Sequence, residues 1–340
     1  MTMWGIHNDT ELDLLAGNFV SIGWDLLGDL RQYDGREALK TALKEAYPGR
    51  KQGSYPVQAG VLYSFSRQMS VGDVVVAPNK ADRTVNVGVV SGDYYFDPSA
   101  PLHKNRRPVQ WVKTGASRTT FSLSALNEIG SAITLFRVRR NADEFRDFLE
   151  SPTESEFQAR AASEAEAPEV AAERADEALN ADRLDQYTRD FIAKRLLTAV
   201  GDREFEELTG DLMRTLGYRA RVTRYSNDGG VDVIAHRDPF GLEPPIVKVQ
   251  CKHTVTAIGG PAVAQLVGRI GTTETGLFVT LGTYTPDAIA QERNNPRLRL
   301  LTGDELIDLI LQHYDELPRR WRDVIPLRRV FVVDEEPGVA

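Results

Sequence analysis

The chain has 340 residues, 41% hydrophobic and 26% charged, with a net charge of −8. That length accommodates two domains with their own cores, and no apolar run approaches the ~20 residues that span a bilayer. A single cysteine, Cys251, excludes an intrachain disulfide and a cysteine-rich zinc site, and the five histidines are scattered.

The first residues, Met1–Asp13, are polar and acidic, unlike a signal peptide, so a cytoplasmic location without membrane contact is expected. Short strand-like runs follow at Val74–Ala77, Thr84–Val90, Val109–Val112 and Thr134–Arg137. Helical patterns occupy Arg36–Tyr47 and Pro56–Arg67, the second opening on a proline suited to a first helical turn. Many short strands with glycine turns predict a small β-barrel with helices over residues 1–150. The segment 151–190 carries eleven acids against four bases, nearly all of the chain's negative excess. Its Ala/Glu-rich composition cannot bury a core and reads as an acidic, partly helical linker. The flanking parts are close to neutral, with basic clusters at His103–Arg107 and Arg214–Arg224, so the overall charge does not exclude DNA as a partner.

Beyond the linker the period changes. Leu184–Val200 and Arg203–Leu216 repeat apolar residues at helical spacing (Phe205, Leu208, Leu212, Leu216). Strand-like runs follow at Ala220–Thr223, Val231–Ala235 and Ile246–Cys251. Then come a helix (Ala262–Ile270), a strand (Leu277–Thr280), a helix (Pro286–Arg293), a strand (Leu298–Leu301) and a helix (Asp304–Tyr314). That order predicts an α/β sandwich, a mixed sheet flanked by helices, over residues 191–320, leaving 321–340 as a tail.

The chemistry concentrates in Asn227-Asp228-Gly229-Gly230-Val231-Asp232 and in Val249-Gln250-Cys251-Lys252. Strand alternation puts Gln250 and Lys252 on one face and Cys251 on the other. A hairpin between the two strands would bring Asp232 to the same edge. A carboxylate, an amide oxygen and a backbone carbonyl suit Mg²⁺, or Mn²⁺ in its place, and a lysine suits the charge that develops on a phosphate. Read singly, each feature also fits a hairpin turn or a solvated strand end. Together they interrupt an apolar strand with an amide and a charge, which is costly without partners. His253, next after this run, reads as an exposed loop residue.

These residues give the chain a specific resemblance. Phe205-Glu206, Gly217-Tyr218, Asp228 through Asp232, Gln250-Cys251-Lys252, Val279-Thr280 and Leu300 through Leu306 resemble, in order, the motifs of Mrr-type restriction endonucleases of the PD-(D/E)xK superfamily. The resemblance implies Asp232 as metal ligand, Gln250 in place of a second acid, Lys252 as catalytic lysine, and Glu206 or its neighbour Glu207 as the helix acid of the metal site. Cys251 would contribute through its backbone.

The stretch Gly72-Asp73-Val74-Val75, Gly88-Val89-Val90 and Arg106-Arg107-Pro108-Val109-Gln110-Trp111 resembles EVE and PUA-like domains, small barrels that bind nucleic acid. That implies a pocket for a flipped, modified base, for which Trp24, Asp25, Tyr33 and Trp111 are the candidates. Lys104, Arg106 and Arg107 are the phosphate-contact candidates. The joint expectation is a modification-dependent, Mg²⁺-dependent DNA endonuclease of the type IV restriction kind, directed at phage or foreign DNA and acting as a homodimer. The alternative is an immune effector nuclease switched on by a small nucleotide bound to the N-terminal domain. No P-loop is present, so this chain is not expected to drive ATP-dependent translocation.

Overall fold

The computed structural model describes residues 1–8, 12–79, 82–131, 133–158, 181–223 and 230–330. Contacts divide the chain into two units between Tyr187 and Thr188.

In the N-terminal unit the first four strands are largely buried on both faces, so those with long apolar runs, such as Val74–Ala77, do not alternate. The elements are β1 (Met3–Ile6), a single helical turn α1 (Leu14–Gly17), β2 (Phe19–Ile22), α2 (Gly35–Ala46), α3 (Ser54–Tyr63), β3 (Val74–Asn79), β4 (Thr84–Val90), β5 (Tyr95–Phe96), β6 (Asn105–Ser117), α4 (Leu123–Ile129), β7 (Leu135–Arg137) and α5 (Ala142–Glu150). The strands form one curled sheet in the order β2-β6-β4-β3-β1-β7, with β5 paired to β6. β1 runs parallel to β3, and the other pairings are antiparallel. Alternate residues part to two cores: Trp4, Ile6 and Val75 face α2 and α3, while Met3, Val74 and Val76 face Phe121, α4 and α5. Asp73, 6% exposed, ties the start of the sheet together by accepting the Thr2 and Ser70 N–H groups and the Trp4 indole N–H.

The linker expected from Ser151 begins later than that. Phe157 is 3% exposed and stacks against Phe121 and Phe148 in the second core. The remainder of the expected linker, residues 159–180, lies outside the described residues.

The C-terminal unit follows the predicted order of elements closely. It comprises α6 (Ala181–Ala199), in which the division between the units falls, α7 (Asp202–Thr215), β8 (Arg219–Val222), β9 (Val233–His236), β10 (Ile246–Lys252), α8 (Gly260–Val267), β11 (Glu274–Thr280), α9 (Pro286–Asn294), β12 (Leu298–Leu301), α10 (Gly303–Gln312) and α11 (Arg319–Val324). The sheet order is β12-β11-β10-β9-β8, antiparallel from β8 to β10 and parallel from β10 to β12. Val233, Val249, Cys251 and Val279 face a core built with α6, α7 and α10. Phe278, Leu298 and Leu300 face the opposite core with α8 and α9. Thr302 and Glu305 form a reciprocal cap at the start of α10.

The tail expected from residue 321 needs correction. Trp321 and Ile325 are buried in the first of these two cores. The Trp321 indole N–H donates to the Asp211 carboxylate at 2.8 Å, and Arg320 and Arg214 pair with the same carboxylate. Residues 331–340 lie outside the described residues. Among the described residues no helix is long and apolar enough to cross a membrane.

Candidate active site

The site assembles where α7 passes the β9–β10 hairpin. α7 turns Phe205, Leu208 and Leu212 into the core. One turn of that helix sets Arg203 and Glu206 side by side, with 2.7 Å between the guanidinium and the carboxylate. The Arg203 guanidinium also donates to the Thr223 carbonyl at 2.8 Å, fastening the helix to the end of β8.

Asp232 precedes β9 but is held in the ladder. Its N–H donates to the Val249 carbonyl at 2.8 Å and its carbonyl accepts from the Thr223 N–H at 2.9 Å. Its carboxylate accepts the Cys251 N–H at 2.7 Å. The register Val249↔Val233 therefore carries Asp232 to the stretch Gln250–Lys252, as the hairpin argument expects. Alternation on β10 is as read from the sequence, with Val249 and Cys251 in the core and Gln250 on the other face. Lys252 ends the strand exposed, and its charge reaches Asp232.

Electrostatically the site is under-compensated. Burial pushes the Asp232 carboxyl above its ordinary range, against the Cys251 N–H and the charges of Lys252, Arg203 and Arg269. Burial likewise pushes Glu206 up, against the Arg203 hydrogen bond, and the neighbouring Asp232 charge pushes it further. Gln250 is 5% exposed, and its Oε1 has no hydrogen-bond partner among the described residues. Two acids that resist ionising together, with an orphaned buried oxygen on the adjoining strand, are a set that a divalent cation would complete. Among the described residues no three His, Cys, Asp or Glu side chains gather into a metal-binding group. The oxygens beyond the two carboxylates would thus come from Gln250 and the backbone.

Several expectations change here. Of the two candidate helix acids, Glu206 faces Asp232, whereas Glu207 pairs with Arg320 at 2.8 Å. The Cys251 side chain is in the core, where burial raises its thiol far above the ordinary value, and it is the backbone N–H that binds the Asp232 carboxylate. His253 is not an exposed loop residue. Its side chain is 10% exposed, its ring contacts the Leu196 carbonyl at 2.9 Å and Asp202 at 3.4 Å, and it packs on Phe205. Asn227, Asp228 and Gly229 lie outside the described residues.

One residue escaped the sequence reading. Arg269, just past α8, has no ion-pair partner among the described residues and sits over Gly230. A Cβ on Gly230 would stand 2.7 Å from the Arg269 guanidinium and 3.2 Å from the Gln250 amide nitrogen. Gly230 also holds φ +89°, a conformation that L side chains rarely adopt. The Arg269 carbonyl is pinned by the Lys248 ammonium at 2.8 Å, and that lysine pairs with Glu274 at 2.7 Å.

In the N-terminal unit the candidates divide. The Trp24 ring is half-buried, its indole N–H donates to Gln58 at 3.3 Å, and its backbone is left-handed at φ +64°. The Asp25 carboxylate accepts the His103 and Lys104 N–H groups at 2.7 and 2.8 Å, clamping the basic loop. Tyr33 donates to the Leu27 carbonyl and Trp111 to the Leu14 carbonyl. Arg106 lies over the Phe19 ring and faces Asp97 at 3.4 Å. Arg107, expected at a phosphate, is 3% exposed, and its guanidinium donates to the Phe65, Ser66 and Gly92 carbonyls. It is a structural tie and is corrected as such. Lys104 is half-buried in the loop that Asp25 clamps.

Residues 197–310 match the restriction endonuclease family Mrr_cat. The C-terminal unit carries a Mrr-type restriction endonuclease domain. That makes this part of the chain an endodeoxyribonuclease, a hydrolase of phosphodiester bonds, and PD-(D/E)xK domains of this type generally use divalent metal ions. Residues 4–138, ahead of the Mrr-type domain, match a domain family of unknown function, DUF8426. No curated protein matches the chain. Among solved structures, the MspJI restriction endonuclease in complex with a 27-mer oligonucleotide is 14% identical, with 95% of this chain and 71% of that one covered, at a TM-score of 0.34. The DNA modification-dependent restriction endonuclease AspBHI is 18% identical, with 82% and 77% covered, at 0.32. A protein of unknown function, AF1548, is 14% identical over 28% of this chain and 55% of its own length, at 0.24.

Proposed function

We propose that this chain is a modification-dependent DNA endonuclease. Its Mrr-type domain hydrolyses phosphodiesters with Mg²⁺, or Mn²⁺ in its place, and its N-terminal domain recognises a modified base. The observation that carries the nuclease reading is the meeting of Glu206 and Asp232, both pushed up by burial, with the Lys252 charge acting on Asp232 and an orphaned Gln250 oxygen on the adjoining strand. Asp232, Glu206, the Gln250 Oε1 and the Cys251 carbonyl would hold the metal. When bound, it neutralises phosphate charge and makes a water more acidic. Lys252 orients the attacking water and balances the charge that builds on the phosphate as one ester bond breaks. Arg269, without an ion-pair partner among the described residues, stands beside Asp232 to meet a phosphate oxygen.

Base recognition is assigned to Trp24, whose left-handed backbone and half-buried ring fit a strained binding position next to the clamped loop at His103 and Lys104. Cutting both strands requires two active sites, so the working form is a homodimer. Such an enzyme would act in the cytoplasm against phage or foreign DNA.

The test is cleavage of matched duplexes, unmodified or carrying 5-methylcytosine, 5-hydroxymethylcytosine or N6-methyladenine, with Mg²⁺ and with EDTA. Cutting of one modified duplex only, abolished by EDTA and by Lys252→Ala, is the expected result. Cutting that ignores all three modifications would overturn the recognition half. Full activity in Lys252→Ala would overturn the site.

A further inference from the structure

A second feature of the N-terminal unit lies away from Trp24. A depression of about 560 Å³ opens between α3 and the β1–β7 edge of the sheet. Its walls include Trp4, Tyr63 and Phe136, and three arginines, Arg36, Arg137 and Arg139. None of Trp24, Asp25, Tyr33 or Trp111 lines it.

The depression is built by register and by a glycine on α3. β1 pairs with β7 so that Arg137 stands opposite Trp4, and its guanidinium lies 5.1 Å over that ring. Phe136 stands opposite Gly5, where a Cβ would come within 2.2 Å of its ring; alternation turns that ring to the other face of the sheet, against the second core, so Phe136 borders the depression without offering its ring to it. On α3, a Cβ at Gly60 would stand 2.8 Å from the Arg36 guanidinium, which occupies that space and donates to the Pro56 carbonyl.

Its charge is uncompensated. Among the described residues no carboxylate lines the depression, and none of the three arginines has an ion-pair partner. The adjoining acids are committed elsewhere. Glu128 accepts the backbone N–H groups of Arg139, Arg140 and Asn141, and Glu37 pairs with Lys40 at 2.9 Å. Three like charges around one concavity repel one another, and an anion that accepts from several guanidiniums relieves that repulsion. The partly buried Tyr63 ring adds a surface for a planar base.

We propose that this depression binds a nucleotide, its phosphate held by Arg36, Arg137 and Arg139 and its base laid against Tyr63. A free nucleotide and a nucleotide within a DNA strand share this chemistry, so the test separates them. The full chain carrying Lys252→Ala, which keeps DNA intact, is titrated with deoxyadenosine monophosphate by calorimetry. In parallel it is titrated with a short, unmodified, fluorescein-labelled single strand by anisotropy. Adding Arg137→Ala and Arg139→Ala should weaken one of the two by about tenfold or more, the scale of losing charged hydrogen bonds. Arg146→Ala, an exposed arginine on α5, should leave both unchanged. Loss of the mononucleotide identifies a free-nucleotide site, and loss of the strand alone identifies a DNA contact. Either supports the proposal. Gly60→Ala, which displaces Arg36, should act in the same direction. If it fails to fold, Arg139→Ala alone, at an exposed side chain, decides the matter. Binding of both probes within about twofold of the parent in every folded variant overturns the proposal and leaves the nuclease reading untouched.

Discussion

At the scale of single residues, the site's chemistry follows from charge held in a half-buried place. Lys252→Ala should lower cleavage by roughly 10²–10³-fold, the range for losing one preorganised electrostatic contact, while DNA binding in EDTA persists. Asp232→Asn should abolish cleavage and yet raise the melting temperature of the metal-free protein at neutral pH. The sign follows from a raised folded-state pKa: the protonated carboxyl is favoured in the fold, so stability is lost as pH rises through that value, and the amide does not ionise. For the same reason protons compete with the cation. The Mg²⁺ concentration for half-maximal cleavage should increase as pH falls, since both Asp232 and Glu206 are pushed up. Measuring that concentration across acidic pH checks it, and a flat profile would remove these acids from the metal site. Asp232, Gln250 and Lys252 were legible because polar residues break an apolar strand. Arg269 was not, because nothing local to it signals that Gly230, distant in sequence, leaves the space it fills.

At the scale of elements, α11 is the clearest addition to the sequence reading. Asp211 on α7 is buried, which works to raise its carboxyl. The Arg320 and Arg214 guanidiniums and the Trp321 indole N–H override that and hold it below the ordinary value. Asp211→Ala should destabilise the Mrr-type domain by about 3 kcal/mol, the scale for removing one partner of a buried pair. Because the folded value is depressed, the contribution is present above the ordinary aspartate range and vanishes as pH falls through the folded value. Denaturant titrations of parent and variant should therefore converge in acid. The short helix was missed because Arg319-Arg320-Trp321-Arg322 shows one large apolar residue among charges, a weak periodic signal. α7 and α10, with repeated apolar spacing, were plain. Arg107 misled for a related reason. Asn105, Arg107 and Val109 share the inward face of β6, so a basic residue occupies an apolar position that composition marks as surface.

At the scale of the molecule, the two units differ in how far sequence carried. The C-terminal order of helices and strands was readable from α6 to α10, because α/β alternation and motif order constrain each other. In the N-terminal unit the expectation of many short strands held, but β1 and β2 are four residues each and buried on both faces, too short for periodicity to announce. A parallel β1–β3 pair across some seventy residues is a non-local contact that no local pattern encodes. If cutting requires a homodimer, the cleavage rate per chain should rise with protein concentration and then level off. A rate per chain independent of concentration from the outset would argue for monomers nicking one strand at a time.

The hairpin between β9 and β10 serves two masters, since one face of β10 fills the core, the other carries Gln250, and its backbone at Cys251 binds the Asp232 carboxylate. A slip of one residue would bury the chemistry and expose the core together. Its tip has the opposite character, with Phe240 and Leu242 more than four-fifths exposed. The tip is therefore where a lineage, or an engineer, has freedom to splice in new peptide, whereas deleting a single position within either strand should leave neither a nuclease nor a folded domain.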